Sequence, residues 1–251
     1  MTLLLFLACN DGSIDFDDKV LDGEGIDDTA LADTAGGSLD DTVTADDTGA
    51  GDDTGRPPAI PATCRELLAA TPGSPDGAYT LYLGGAATRP WTAWCHDMRG
   101  TPQEYLTLSG NNDSQYTVGG RAGTRTSYAR VRIDPATLLV DISDQTFATS
   151  SGGFSFQGTW VGSMPYAVAM ACEYEANGVG HVDLSGTPFR VRADAFLVDG
   201  YLPVGSATYG AGQKTVTLAG GGYCGWISPK PGVYNPINDA GGFLLPLEYV
   251  G

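Results

Sequence analysis

The side chains in this sequence that could do chemistry are few: five cysteines, two histidines, a handful of arginines and a dense run of acids. Cys95 is followed directly by His96 and Asp97, which on paper suggests a thiolate–imidazole pair. A cysteine nucleophile must be a free thiolate, so a cross-linked Cys95 would remove that chemistry. The second histidine, His181, reads as a solvent-facing strand residue. Neither histidine is followed by Glu, so the His-Glu-x-x-His zinc signature is missing. No Gly-x-Ser-x-Gly elbow occurs, and no glycine loop opens a helix to cradle phosphate. The residues therefore assign no catalytic group and no metal ligand.

What remains is binding. Arg130 and Arg132 alternate on one run, Arg190 and Arg192 on another, with Arg121 and Arg125 in the loop before the first. If the two runs were neighbouring strands, four guanidinium groups would share a face. Such a face suits a carboxylated or sulfated glycan, or an acidic protein patch. Trp91, Trp94, Trp160 and Trp226 could flank a sugar, or pack into the core.

The compartment follows from sulfur and charge. Cys9 stands behind the apolar run Leu3-Leu4-Leu5-Phe6-Leu7-Ala8, as at the end of a bacterial lipoprotein signal. Cleavage before Cys9 would leave it free for lipidation. The run has no Lys or Arg ahead of it and is short, so the true start is expected upstream. It is far under the roughly 18 residues of a membrane span. Four cysteines then remain: Cys64, Cys95, Cys172 and Cys224. An even number in an exported chain predicts two disulfides, with three pairings open. A zinc cluster is disfavoured because no Cys-x-x-Cys pair exists. The expected location is the bacterial cell envelope, as an outer-membrane or surface lipoprotein, or secretion.

Charge is uneven. Residues 10–55 hold 15 of the 30 acids and one base, Lys19, so 1 − 15 gives −14 of the total −17. The rest is 12 bases against 15 acids, or −3. A nucleic-acid partner is disfavoured, since phosphate binding needs excess positive charge. Residues 10–60 repeat Asp-Asp-Thr and carry few large apolar groups, so they read as a disordered acidic tether. They lack the EF-hand spacing and the nonapeptide repeat of calcium sites.

The elements that would position these side chains begin near Pro57-Pro58. Thr63 and Glu66 form a capping-box pattern ahead of Leu67-Leu68-Ala69-Ala70, predicting one short helix. Strands dominate afterwards. Tyr79 to Leu83 alternates, and Trp94 to Met98 turns at Arg99-Gly100-Thr101-Pro102 into Glu104 to Leu108. Ala129, Val131 and Ile133 are expected to face a core, as are Val182 and Leu184, Phe189 and Val191. Gly and Pro interrupt the chain every 8 to 15 residues. The fold expected is mainly β: an antiparallel sandwich or irregular barrel-like body, one short N-terminal helix and two disulfides. The boundaries expected are 1–9 signal end, 10–60 tether, 61–231 globular domain and 232–251 a tail or edge strand.

Several motifs together resemble the GON domain, a module found at the C-terminus of some large secreted metalloproteases. They are Cys64, Asp76-Gly77-Ala78-Tyr79-Thr80-Leu81, Trp94-Cys95-His96-Asp97-Met98 and Pro102-Gln103-Glu104-Tyr105-Leu106-Thr107-Leu108. Further matches are Arg132-Ile133-Asp134, Asp144 with Phe147-Ala148, Pro165-Tyr166-Ala167, Asp183-Leu184-Ser185-Gly186-Thr187 and Gly221-Gly222-Tyr223-Cys224-Gly225. The resemblance spans about residues 62–231. It implies a Cys64–Cys95 bridge and leaves Cys172 with Cys224. Metazoan members carry additional cysteines where this chain has Ala176-Asn177-Gly178 and Trp226-Ile227-Ser228. The zinc machinery of the metalloprotease relatives lies in a different domain, so zinc and metalloendopeptidase activity come by association alone. The function expected is a non-catalytic surface binding module, with an extracellular protein or anionic glycan as partner and the membrane reached through the lipid anchor. The alternative is a metalloendopeptidase-associated zinc activity.

Overall fold

The computed structural model describes residues 60–156, 159–223, 225–230 and 244–251. Cys9, the tether up to residue 59, Cys224 and residues 231–243 lie outside the described residues.

The helix forms where the cap pattern places it, as α1 (Cys64–Ala70). The Thr63 hydroxyl accepts from the Glu66 N–H at 3.1 Å. The Glu66 carboxylate reaches back to the Ala62 N–H at 2.7 Å, one residue earlier than a standard capping box. Two single 3-10 turns, Leu83–Gly85 and Ala211–Gln213, are the other helical elements among the described residues.

Strands fill the rest: β1 (Gly77–Tyr82), β2 (Pro90–His96), β3 (Gln103–Thr107), β4 (Asp113–Val118), β5 (Arg121–Tyr128), β6 (Arg130–Asp134), β7 (Leu139–Asp141), β8 (Ala148–Gly152), β9 (Phe154–Phe156), β10 (Thr159–Val161), β11 (Ala169–Cys172), β12 (Gly178–Asp183), β13 (Phe189–Val191), β14 (Phe196–Asp199), β15 (Val204–Tyr209), β16 (Thr215–Gly221), β17 (Gly225–Pro229) and β18 (Leu244–Tyr249). The fold is mainly β, as expected.

The first sheet runs β1-β2-β3-β6-β7-β18-β13, with every neighbour antiparallel. It curls until its far strands return to β2: the Trp91 and Phe189 rings meet edge-on at 5.5 Å. The Tyr249 hydroxyl donates to the Pro90 carbonyl at 3.0 Å. The strand from the C-terminal segment, β18, lies inside this sheet between β7 and β13 rather than at an edge.

The second sheet runs β14-β17-β11-β4-β12-β16-β15, and β4 also pairs with β5, which pairs with β8. One pair in it, β11 with β4, is parallel. Its curvature has a visible cause. Gly178, Gly220 and Gly205 stand directly opposite one another on β12, β16 and β15. A side-chain carbon on Gly220 would overlap the Ala169 carbonyl and lie 2.8 Å from the Ile227 N–H. Three bare backbones in one row let β16 fold onto β11 and β17, which nearly closes a small barrel.

The chain crosses from the second sheet to the first between β5 and β6. Ala129 donates its N–H to the Phe147 carbonyl and accepts from the Leu108 N–H, both at 3.0 Å. The crossing breaks the alternation: Tyr128 and Val131 are both buried, and Ala129 is exposed instead of facing the core with Val131 and Ile133. Elsewhere the expected inward residues hold. Val182, Leu184, Phe189 and Val191 join one hydrophobic cluster with Leu81, Trp91, Leu106, Val140, Val216 and Leu218.

Cys64 and Cys95 are bridged, Cα atoms 5.5 Å apart, tying α1 to β2 across 31 residues. Cys172 is also disulfide-bonded.

Candidate functional site

Register decides what the first sheet presents. Ala78, Trp94, Tyr105, Arg132, Asp141 and Leu244 stand opposite one another in a single row across β1, β2, β3, β6, β7 and β18. Side chains alternate along each strand, so this row and its i ± 2 neighbours form the outer face. Their partners one residue away, Ala93, Leu106, Val131 and Val140, are in the core.

The centre of that face is an aromatic cluster. The Tyr105 and Phe147 rings lie 4.8 Å apart, and His96 meets both edge-on at 5.2 and 5.8 Å. Arg130 lies over two rings, its guanidinium carbon 4.0 Å from the Trp94 ring centre and 4.8 Å from that of Phe147. Its Nε donates to the Thr107 hydroxyl at 3.2 Å. Partly exposed stacking of this kind contributes about 0.5–1 kcal/mol per contact.

Around the cluster the polar groups hold one another. The Tyr105 hydroxyl bonds to Asp144 at 3.0 Å, and burial pushes its pKa up. Arg132 contacts Asp141 directly and Asp144 at 3.5 Å. Burial would lower the Arg132 pKa, but the Asp141 hydrogen bond and the two carboxylate charges outweigh it and raise it. Burial likewise works to raise Asp141, yet the Ser143 hydroxyl and Arg132 hold it below the ordinary carboxylate value. His96 Nδ1 lies 2.8 Å from Asp76, and Asp76 accepts the Met98 and Asp97 N–H groups at 2.8 and 3.0 Å. Those backbone bonds, Met98 first, pull the Asp76 pKa down. Beside the row, a cleft of about 430 Å³ is lined by Glu104, Arg132, Asp134, Thr137 and Asp141 among others. Burial raises the pKa of Glu104, which accepts the Cys64 N–H at 2.6 Å.

The two arginine pairs are not on neighbouring strands. Arg130 and Arg132 are on β6, while Arg190 is on β13 and Arg192 follows it, with β7 and β18 between. They do share the outer face, because Arg190 stands opposite Glu248, in phase along β18 with Leu244. Three of the four are ion-paired. Arg190 reaches Glu248 at 2.7 Å, Arg192 reaches it at 3.9 Å, and Arg132 is taken by the two aspartates. Arg130 has no carboxylate partner among the described residues. Arg121 and Arg125 sit on strand β5 rather than in a loop. Of the tryptophans, Trp91 and Trp226 are core residues, Trp94 is half-buried under Arg130, and Trp160 is 65% exposed.

His181 is half-buried on β12, and sequence reading missed its partner: the side chain of Asp113, 0% exposed, lies 2.7 Å from its Nδ1. The two are 68 positions apart, and only the β4–β12 pairing brings them together. Cys95 is bridged, so it offers no thiolate beside His96. Among the described residues no group of three or more His, Cys, Asp or Glu could hold a metal ion.

The arrangement defines a disulfide-braced, mainly β protein of two large sheets and a small β9-β10 ribbon, with an arginine–aromatic outer patch. The family model of the GON domain matches residues 119–234 of this chain, the same family its motifs resemble. Arg130, Arg132, Asp144, Phe147, Arg190 and Arg192 fall inside that span, while Trp94, His96 and Tyr105 precede it. No curated protein and no solved structure matches the chain.

Proposed function

We propose that this is an exported, lipid-anchored surface protein whose GON domain is a non-catalytic module that binds an acidic partner, an anionic glycan or an acidic protein patch. Cys9 carries the anchor, and residues 10–60 are the tether that holds the domain off the membrane. The observation that carries the reading is Arg130. Its guanidinium lies over Trp94 and Phe147, on the outer face, with no carboxylate partner among the described residues. A stacked guanidinium keeps its donors fixed and free for a bidentate carboxylate or sulfate, and the rings beneath give a flat platform. Arg132, Arg190 and Arg192 have carboxylate neighbours and contribute less, because an incoming anion would have to displace them.

Heparin chromatography of the full chain tests this. The chain carries a net −17, so retention on a polyanion requires a local site rather than overall charge. The wild type is expected to be retained and to elute with salt. Arg130→Ala is expected to flow through, whereas Arg190→Ala elutes near wild type. Wild-type flow-through, or equal elution of both variants, would remove Arg130 from the reading.

A further inference from the structure

The outer face of the second sheet carries a row of its own. Thr208, Thr217, His181, Asp113, Ser127 and Thr149 stand opposite one another across β15, β16, β12, β4, β5 and β8. Every member is polar. Six strands at about 4.8 Å spacing make the row about 24 Å long. Thr208, Thr217, Ser127 and Thr149 are exposed, and no exposed carboxylate interrupts them.

Asp113 organises the centre. Its Oδ1 lies 2.7 Å from His181 Nδ1. Its Oδ2 lies 3.0 Å from Arg125 Nε and accepts from Gln115 Nε2 at 3.3 Å. Both oxygens are therefore occupied, and Asp113 itself offers nothing to a ligand. It fixes what its partners offer. An ionised carboxylate only accepts, so it places the proton of a neutral His181 on Nδ1 and leaves Nε2 an acceptor. With Arg125 bound through Nε, the two terminal guanidinium nitrogens stay unclaimed by Asp113, and this side chain is 47% exposed. The result is a ring nitrogen held in one position, an acceptor when the ring is neutral and a donor when it is charged, beside a fixed double donor and flanked by hydroxyls that can do either.

We propose that this row is a saccharide-binding track, on which a pyranose chain lies across the strands, with His181 and Arg125 as its central hydrogen-bonding pair and Asp113 as the positioning residue. A free ion would use only the centre. A chain with a hydroxyl or ring oxygen on every unit matches donors and acceptors repeated at strand spacing over the whole length. The track is on the opposite sheet from Arg130 and stands or falls separately from the heparin result.

The test is an amide and imidazole NMR titration of the full chain with two probes: uncharged cellohexaose and the acidic hexamer of galacturonic acid. The expected result is that signals of Thr217, His181, Ser127 and Thr149 shift together, and that with the uncharged hexamer those of Trp94 and Arg130 stay in place. Shifts with both probes assign the hydroxyl chain as ligand. Shifts with the acidic hexamer alone assign the carboxylate as well, through Arg125. His181→Ala and Arg125→Ala should each weaken binding about tenfold. Thr217→Val, which leaves the Asp113 contacts intact, should weaken it several-fold with an unchanged melting curve, so the test survives if the other variants fold poorly. Absence of shifts along the row with both probes, or wild-type affinity in Thr217→Val and His181→Ala, would overturn the proposal.

Discussion

The two outer faces are built on the same plan and end up chemically opposite. Each sheet aligns six residues from six strands. On the first sheet the row reads Ala78, Trp94, Tyr105, Arg132, Asp141, Leu244, and its charges neutralise one another at the surface. On the second it reads Thr208, Thr217, His181, Asp113, Ser127, Thr149, and its one carboxylate is covered by His181, Arg125 and Gln115. The difference shows that charge count on a strand does not locate a site. On the arginine-rich face Arg130 has no carboxylate partner among the described residues, while on the hydroxyl-rich face His181 and Arg125 are fixed by the buried Asp113.

The comparison predicts where each half is brittle. The first sheet depends on its bridge. Cys64→Ser with Cys95→Ser opens a loop of 31 residues and should cost about 3.5 kcal/mol in guanidinium unfolding. The second sheet depends on Asp113. Replacing it with Ala leaves His181 and Arg125 without their shared carboxylate, and should cost about 2 kcal/mol, since both partners can turn to water and no charge is left buried. Equal tolerance of Asp113→Ala and of an exposed change such as Thr208→Ala would mean that Asp113 holds nothing in place.

The smallest effect is the most discriminating, since Asp141 and Glu104 line one cleft with opposite shifts. Asp141 titrates below its ordinary value when folded, so its contribution is present above about pH 4 and is lost as pH falls through the folded pKa. Glu104 titrates above its ordinary value, so it binds its proton more tightly when folded. Stability from Glu104 is therefore full below the unfolded pKa and declines as pH rises through the folded one. Denaturation from pH 3 to 7 should show a weaker acid loss in Asp141→Asn and a gain near neutrality in Glu104→Gln. Matching slopes in both variants would contradict these assignments.

The fold was largely legible because burial follows period. Phe189, Val191, Val182, Leu184, Val216 and Leu218 alternate with polar residues and all face the core. Ala129 failed for a reason that alternation cannot express: the strand changes sheets there and its phase resets. The site was legible in part. Arg130 and Trp94 were both visible as candidates, but their stacking spans β2 and β6, which are separated by β3. Asp113 gave no signal at all, sitting in a Gly-Asn-Asn-Asp stretch that reads as turn.

By itself the sequence determined the fold class, the capped helix, the inward residues of most strands and the family resemblance, because these depend on residue type and near-neighbour spacing. The tertiary structure alone decided strand order and register. Those placed β18 inside the first sheet, set Arg130 over Trp94 and Phe147, brought Asp113 beneath His181 and lined up three glycines to bend the second sheet. The reason is physical. Which strands pair is settled by how the whole set of apolar faces can be buried at once, and no local stretch of chain contains that information.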